Sequence, residues 1–124
     1  DVDFFKNIND TYGHSAGDKT LQVIAHALKK SIRVTDFIAR FGGEEFVLLI
    51  PNSKLNDVIT PVEKLRKMIK SIPFKFKNQS VSITVSFGAT QLKEGDTPQA
   101  AFDRADEALY EAKNQGRDRL VIKK

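Results

Sequence analysis

Arg40-Phe41-Gly42-Gly43-Glu44-Glu45-Phe46 lies between two short β-rich runs, Asp36 to Phe41 and Glu45 to Ile50. Paired glycines supply the positive φ angles that a tight connection needs, so the stretch predicts an antiparallel hairpin. Two carboxylates follow the turn directly. Adjacent strand residues point to opposite faces, so Glu44 and Glu45 need not share one role. A solvated turn tolerates two such acids without any function; a metal site is the other reading.

On the N-terminal side of this hairpin, Asp1 to Asp3 reads as the end of a strand and Asn7 to Gly13 as a polar turn region. From about Ala16 to Ser31, the residues Leu21, Ile24, Ala25 and Leu28 recur at helical spacing. On the other side, Val58, Val62, Leu65, Met68, Ile69 and Ile72 mark a second helix. Its start is open. Thr60-Pro61-Val62-Glu63 looks like a capping box with Pro at the first helical position, and Ser53 could instead begin a longer helix kinked at Pro61. Val81 to Val85 alternates as a half-buried strand that ends near Gly88. Thr97-Pro98 starts a last helix with Phe102, Ala105, Leu109 and Ala112 facing inward, Gly116 stops it, and Leu120 to Ile122 is a closing strand. The order β-α-β-β-α-β-α-β predicts a single α/β (α+β) domain over 1–124. It is ferredoxin-like, with a central sheet of about five strands flanked by helices.

Composition narrows the function classes. The 124 residues carry a net charge of +4, with the positive charges spread along the chain. That reads either as a solvated surface or as a preference for phosphorylated molecules. With no Trp and two Tyr, the chain is a poor stacking platform for single-stranded nucleic acid, and no nucleic-acid partner is expected. The absence of Cys excludes disulfides and thiolate metal sites. No run of eighteen apolar residues occurs, so no membrane span is expected within the segment.

The N-terminal segment sharpens the hairpin's reading. Acids at a strand end, then Lys6, then polar residues before a helix suit a pocket for phosphate and magnesium. That ion takes a few carboxylate oxygens and leaves its other positions to phosphate and water. The structural alternative is a polar connection with an Asx turn and helix cap. The pattern DxDxFKxxNDxxGHxxGDxxL is met by Asp1, Asp3, Phe5, Lys6, Asn9, Asp10, Gly13, His14, Gly17, Asp18 and Leu21. Arg33-x-x-Asp36 follows, then Gly42-Gly43-Glu44-Glu45-Phe46, and finally the run from Arg104 to Arg117. Together these motifs resemble the GGDEF family, in its GGEEF spelling, from residue 1 almost to the end.

The resemblance implies a nucleotide-cyclase-like sheet and a diguanylate cyclase, which condenses two GTP into cyclic di-GMP and releases two pyrophosphates. It implies magnesium (or manganese) held by Asp1, the Val2 carbonyl and Glu44. Glu45 becomes a further metal ligand or a helper of 3′-hydroxyl deprotonation. Asn9 and Asp18 become the guanine readers, with Leu21 beside them. Lys6, Lys113 and Arg117, with the N–H groups of Phe4 and Phe5, become the triphosphate holders. Arg33 and Asp36, with Lys64 as a candidate third member, become an inhibitory site for the cyclic di-GMP product. Without the resemblance, Lys113 and Arg117 would read as helix-dipole partners and Arg33–Asp36 as a surface ion pair.

The same resemblance implies a second GGDEF domain as catalytic partner and an upstream sensor in a longer chain. It places a helix and the first half of the first strand ahead of Asp1. A cytoplasmic location is expected, with a membrane anchor conceivable upstream, and a fragment starting at Asp1 is expected to fold poorly or be inactive. The competing reading is a catalytically silent GTP or cyclic di-GMP binding or relay domain.

Overall fold

The computed structural model describes residues 1–124. In chain order its elements are α1 (Phe5–Tyr12), α2 (His14–Ser31), β1 (Phe37–Arg40), β2 (Phe46–Leu49), a 3-10 turn (Leu55–Val58), α3 (Ile59–Lys70), β3 (Phe74–Phe76), β4 (Gln79–Val81), β5 (Phe87–Ala89), α4 (Pro98–Asn114) and β6 (Leu120–Ile122). The mixed helix and strand class is as expected. No helix is long and apolar enough to cross a membrane.

The signature stretch forms the expected hairpin. β1 and β2 pair antiparallel with Arg40 opposite Phe46, and Gly42 and Gly43 turn the chain with φ of 87° and 49°. Six strands form three two-stranded ladders, β1–β2, β3–β4 and β5–β6, where about five strands in one sheet were expected. Residues 1–3 join two of these ladders. Val2 N–H donates to Glu44 O (3.3 Å), Asp3 N–H to Thr84 O (2.9 Å), and Ser86 N–H to Asp1 O (3.0 Å). Val2 bridges Val85 antiparallel, and β5 continues into a parallel pairing with β6. A belt of backbone hydrogen bonds therefore runs from the signature hairpin through residues 1–3 to β6.

Three sequence expectations are corrected. Asn7 to Gly13 is not a polar turn: Phe5–Tyr12 is helical, and α2 begins at His14 rather than Ala16. Phe5, Ile8 and Tyr12 fall on one face of α1 and pack on the core, which outweighs the polar composition of the remaining positions. Val81 to Val85 is not one strand. Its first residue closes β4, and Val85 makes a single bridge. The hairpin β3–β4 carried no glycine signal, because Lys77 and Asn78 adopt the left-handed turn, with φ of 49° and 64°, that glycine or Asn usually supplies. α3 starts at Ile59, continuous with the 3-10 turn, so Pro61 lies in the first helical turn. There its missing N–H costs no intrahelical bond.

The core is built by α2 and α3 against the sheet. Ile24, Leu28, Leu65, Ile69, Ile83, Val85 and Val2 are all buried, each worth roughly 1.5–3 kcal/mol for full burial. α4 begins as expected: Thr97 Oγ1 accepts from the Ala100 N–H at 3.0 Å, with Pro98 at the first helical position. It packs on β5 at Gly88, where a Cβ would overlap the backbone of Ala105 and Leu109. This close approach seats the middle of α4 on β5.

Candidate active site

Asp1 opens the short segment 1–3 that joins the hairpin to β5, and its carboxylate is largely covered. Lys113, in the last turn of α4, reaches it with Nζ 2.8 Å from Oδ2. Residues at opposite ends of the chain thus meet at one point. Asp3, Glu45, Glu44 and Lys113 all lie within electrostatic reach of Asp1. The carbonyl of Val2, a residue 2% exposed, accepts no hydrogen bond. Two carboxylates and a donor-free carbonyl suit a cation that keeps water and phosphate in its remaining positions. No group of three or more acidic or histidine side chains is placed to hold a metal ion by itself.

Asp3 has a different environment. It is 4% exposed, and its carboxylate accepts from Ser86 Oγ (2.6 Å), Thr84 Oγ1 (2.7 Å) and the Asp118 N–H (3.0 Å). With three donors satisfying it, this acid of the DxD pair ties segment 1–3 to the turn after α4. That turn has three consecutive positive φ values: Gly116 at 113°, Arg117 at 63° and Asp118 at 48°. For the two non-glycine residues such a conformation costs roughly 1–2 kcal/mol each, so the surroundings must hold it. It brings the Arg117 guanidinium over the Phe4 ring, 4.6 Å from the centroid. Phe4 itself has φ of 55° and opens α1.

Across α1, Asn9 points its Oδ1 into the contact with α2. This oxygen is buried and has no hydrogen-bond partner. A Cβ at Gly17 would overlap it, so any larger residue there would displace the Asn9 side chain. Asp18, the next residue, is exposed, and Leu21 is buried in the core. Lys6 is exposed on the first turn of α1.

A family model described as "Diguanylate cyclase, GGDEF domain" matches residues 1–119. This chain is a GGDEF domain. It is 52% identical over 122 residues to diguanylate cyclase DgcP of Pseudomonas aeruginosa, covering 98% of this chain and 18% of that protein. The GGDEF domain therefore spans less than a fifth of that relative. Among solved structures, diguanylate cyclase SiaD of P. aeruginosa, in complex with its activator SiaC, superposes with a TM-score of 0.94 at 41% identity, covering 99% of this chain and 47% of that one. The GGDEF domain of DgcB from Caulobacter crescentus, in complex with c-di-GMP, gives 0.94 at 36% identity over 98% of this chain and 73% of that one.

Within this GGDEF domain, Arg33 and Asp36 lie apart from the cluster at Asp1. The Arg33 guanidinium contacts Asp36 Oδ1 at 3.2 Å and Oδ2 at 3.4 Å, and also reaches Pro51 O (3.3 Å) and Ser53 Oγ (3.0 Å). The Arg33 N–H, which bonds Asp36 Oδ2 at 2.9 Å, holds the Asp36 carboxyl below its ordinary range, and the guanidinium adds to this while burial opposes it. Lys64 is exposed on α3 and bonds to neither residue. Sequence reasoning missed Ser86, Thr84, Arg66 and Asp118, which hold Asp3 and the Gly116–Arg119 turn. Their spacing carries no signal, because the contacts span 81 residues or more from Asp3 and 52 from Arg66.

Proposed function

We propose that this domain is the catalytic unit of a diguanylate cyclase, joining two GTP molecules into cyclic di-GMP with loss of two pyrophosphates. The observation that carries the reading is the meeting of Asp1 with Lys113, near Glu44 and the free Val2 carbonyl, with Arg117 held over Phe4. Acids and cations from distant parts of the chain are thus available to a nucleoside triphosphate and its metal. Asp1, the Val2 carbonyl and Glu44 would hold a magnesium or manganese ion, whose contribution is to neutralise charge developing on the leaving pyrophosphate.

Lys113 exchanges its Asp1 partner for phosphate oxygens and, with Lys6, Arg117 and the N–H groups of Phe4 and Phe5, holds the triphosphate. Asn9 and Asp18 read the base: guanine presents N1–H and N2–H₂ side by side, and the orphaned Asn9 Oδ1 and the Asp18 carboxylate are acceptors. Glu45 receives the proton of the incoming 3′-hydroxyl. The hydroxyl oxygen bonds to the α-phosphorus of a second GTP, the α–β bridging bond breaks, and pyrophosphate leaves. A repeat in the other direction closes the ring. One domain positions one GTP, so two domains must face each other, each converting the other's attack into an oriented step. Arg33 and Asp36 would take the product's guanine and phosphate by giving up their mutual pair, with Lys64 of α3 as a candidate third contact.

Incubation of the intact protein with GTP and magnesium, followed by nucleotide chromatography, tests this. The expected products are cyclic di-GMP and pyrophosphate in a 1:2 ratio, with specific activity that rises with protein concentration. Binding of GTP without turnover would make the domain a silent binding or relay module.

A further inference from the structure

Asp118 takes no part in the chemistry above, yet three side chains hold it through four hydrogen bonds. Its N–H donates to Asp3 Oδ2 at 3.0 Å. Its Oδ1 takes Arg66 Nη1 at 2.7 Å, its Oδ2 takes Lys70 Nζ at 2.7 Å, and its carbonyl takes Arg66 Nη1 at 3.2 Å. Arg66 is itself fixed from the other side, with Nη2 2.7 Å from Glu63 Oε2. The Arg66 and Asp118 side chains are 14% and 23% exposed, so the network is largely shielded. One residue earlier stands Arg117, whose N–H is held by Ala112 O at 2.9 Å and whose guanidinium lies over Phe4.

We propose that Asp118 is a positioning residue for nucleotide binding: clamped between buried Asp3 and the Arg66–Lys70 edge of α3, it locks the left-handed turn that aims Arg117 at the triphosphate. The inference rests on the functional reading above. The physical reason is conformational. Two successive non-glycine residues with positive φ return to ordinary backbone angles unless something holds them. Such a return would swing the Cα–Cβ direction of Arg117 away from Phe4. A long side chain fixed before the ligand arrives loses less freedom on binding it. The contact with Asp3 extends the clamp to the segment that carries Asp1, so Asp1 and Arg117 keep a fixed separation. Since Asp118 acts only through Arg117, its loss should weaken binding without altering the reacting groups.

The test uses the intact protein, with equilibrium binding of a non-hydrolysable GTP analogue in magnesium and steady-state turnover of GTP. Asp118→Ala is expected to weaken analogue binding and raise KM about tenfold, with kcat changed by less than about threefold. In an Arg117→Ala background, Asp118→Ala is expected to add almost nothing. Arg66→Met, which leaves the Asp3 contact in place, is expected to give a smaller rise in KM of about threefold; it carries the test if Asp118→Ala fails to fold in urea titration. Wild-type affinity in both Asp118→Ala and Arg66→Met overturns the clamp, as does a loss that simply adds to that of Arg117→Ala. If the wild-type protein binds no GTP analogue, the functional reading falls and the clamp falls with it.

Discussion

The cluster at Asp1 and the pair at Arg33 place opposite demands on the fold. Asp1 and Lys113 are 112 residues apart in the chain, and they meet only because α4 is seated on β5 and residues 1–3 are woven between the hairpin and β5. Arg33 and Asp36 are three residues apart and close their own turn through the Asp36 N–H to Arg33 O bond (3.0 Å), with Pro51 O and Ser53 Oγ as the guanidinium's further partners. The first is assembled by tertiary structure and the second mainly by local chain geometry. Damage to the core should therefore erase the first before the second.

The largest expected effect is on the assembled site. Glu44→Gln removes one of two carboxylates from a donor set with no reserve, and it preserves the shape of the hairpin. Cyclic di-GMP formation is expected to fall by about 100-fold or more; near-normal turnover at millimolar magnesium would remove Glu44 from the metal ligands. Next comes Asp3→Ala, which strands the hydroxyls of Ser86 and Thr84 and the Asp118 N–H in a covered region. Its expected cost is on the order of 3 kcal/mol, read as a shift of the urea midpoint. An unchanged midpoint would show that the belt from residues 1–3 does not need this carboxylate.

The same contrast explains what the sequence could show. Hairpin β1–β2 was legible because Gly42 and Gly43 announce its turn, and α4 because Thr97 and Pro98 announce its start. β3–β4 was not, because its turn has no glycine and Lys77 takes a left-handed conformation that its residue type does not advertise. α1 was read as a turn because its apolar face is only Phe5, Ile8 and Tyr12, and those residues become an element when the core covers them. The residues proposed for the site come from motif spacing, whereas their supports carry no such signal. Asp3 carries no assigned role in the sequence beyond its place in the DxD pattern, and burial among Ser86, Thr84 and Asp118 reveals it as a tie.

Smaller effects probe base reading and the local pair. Asp18→Ala removes an acceptor for guanine donors and should cut the preference for GTP over ATP by about 10- to 100-fold, equivalent to roughly 1–3 kcal/mol. Competition between the two nucleotides measures this, and an unchanged preference would assign base reading to another residue. Arg33→Ala should relieve product inhibition while leaving turnover of GTP near normal, because nothing at the Asp1 cluster touches it; equal inhibition would leave the pair as a surface contact. The pH dependence of that pair has a defined sign. Asp36 titrates below its ordinary value in the folded domain. Its stabilisation is therefore fully present above the unfolded value of about 3.9 and is lost as pH falls through the lower folded value. The stability difference between wild type and Asp36→Asn should be constant near neutrality and shrink only in that acid window, as followed by thermal unfolding.

The most direct test of the assembled site is a crystal structure of the intact protein with a non-hydrolysable GTP analogue and magnesium. The account predicts the triphosphate against Lys113, Arg117 and the start of α1, the metal on Asp1, Val2 O and Glu44, and the guanine beside Asn9 and Asp18. A nucleotide bound elsewhere, or one bound with Lys113 still paired to Asp1 and Arg117 turned away, would contradict it.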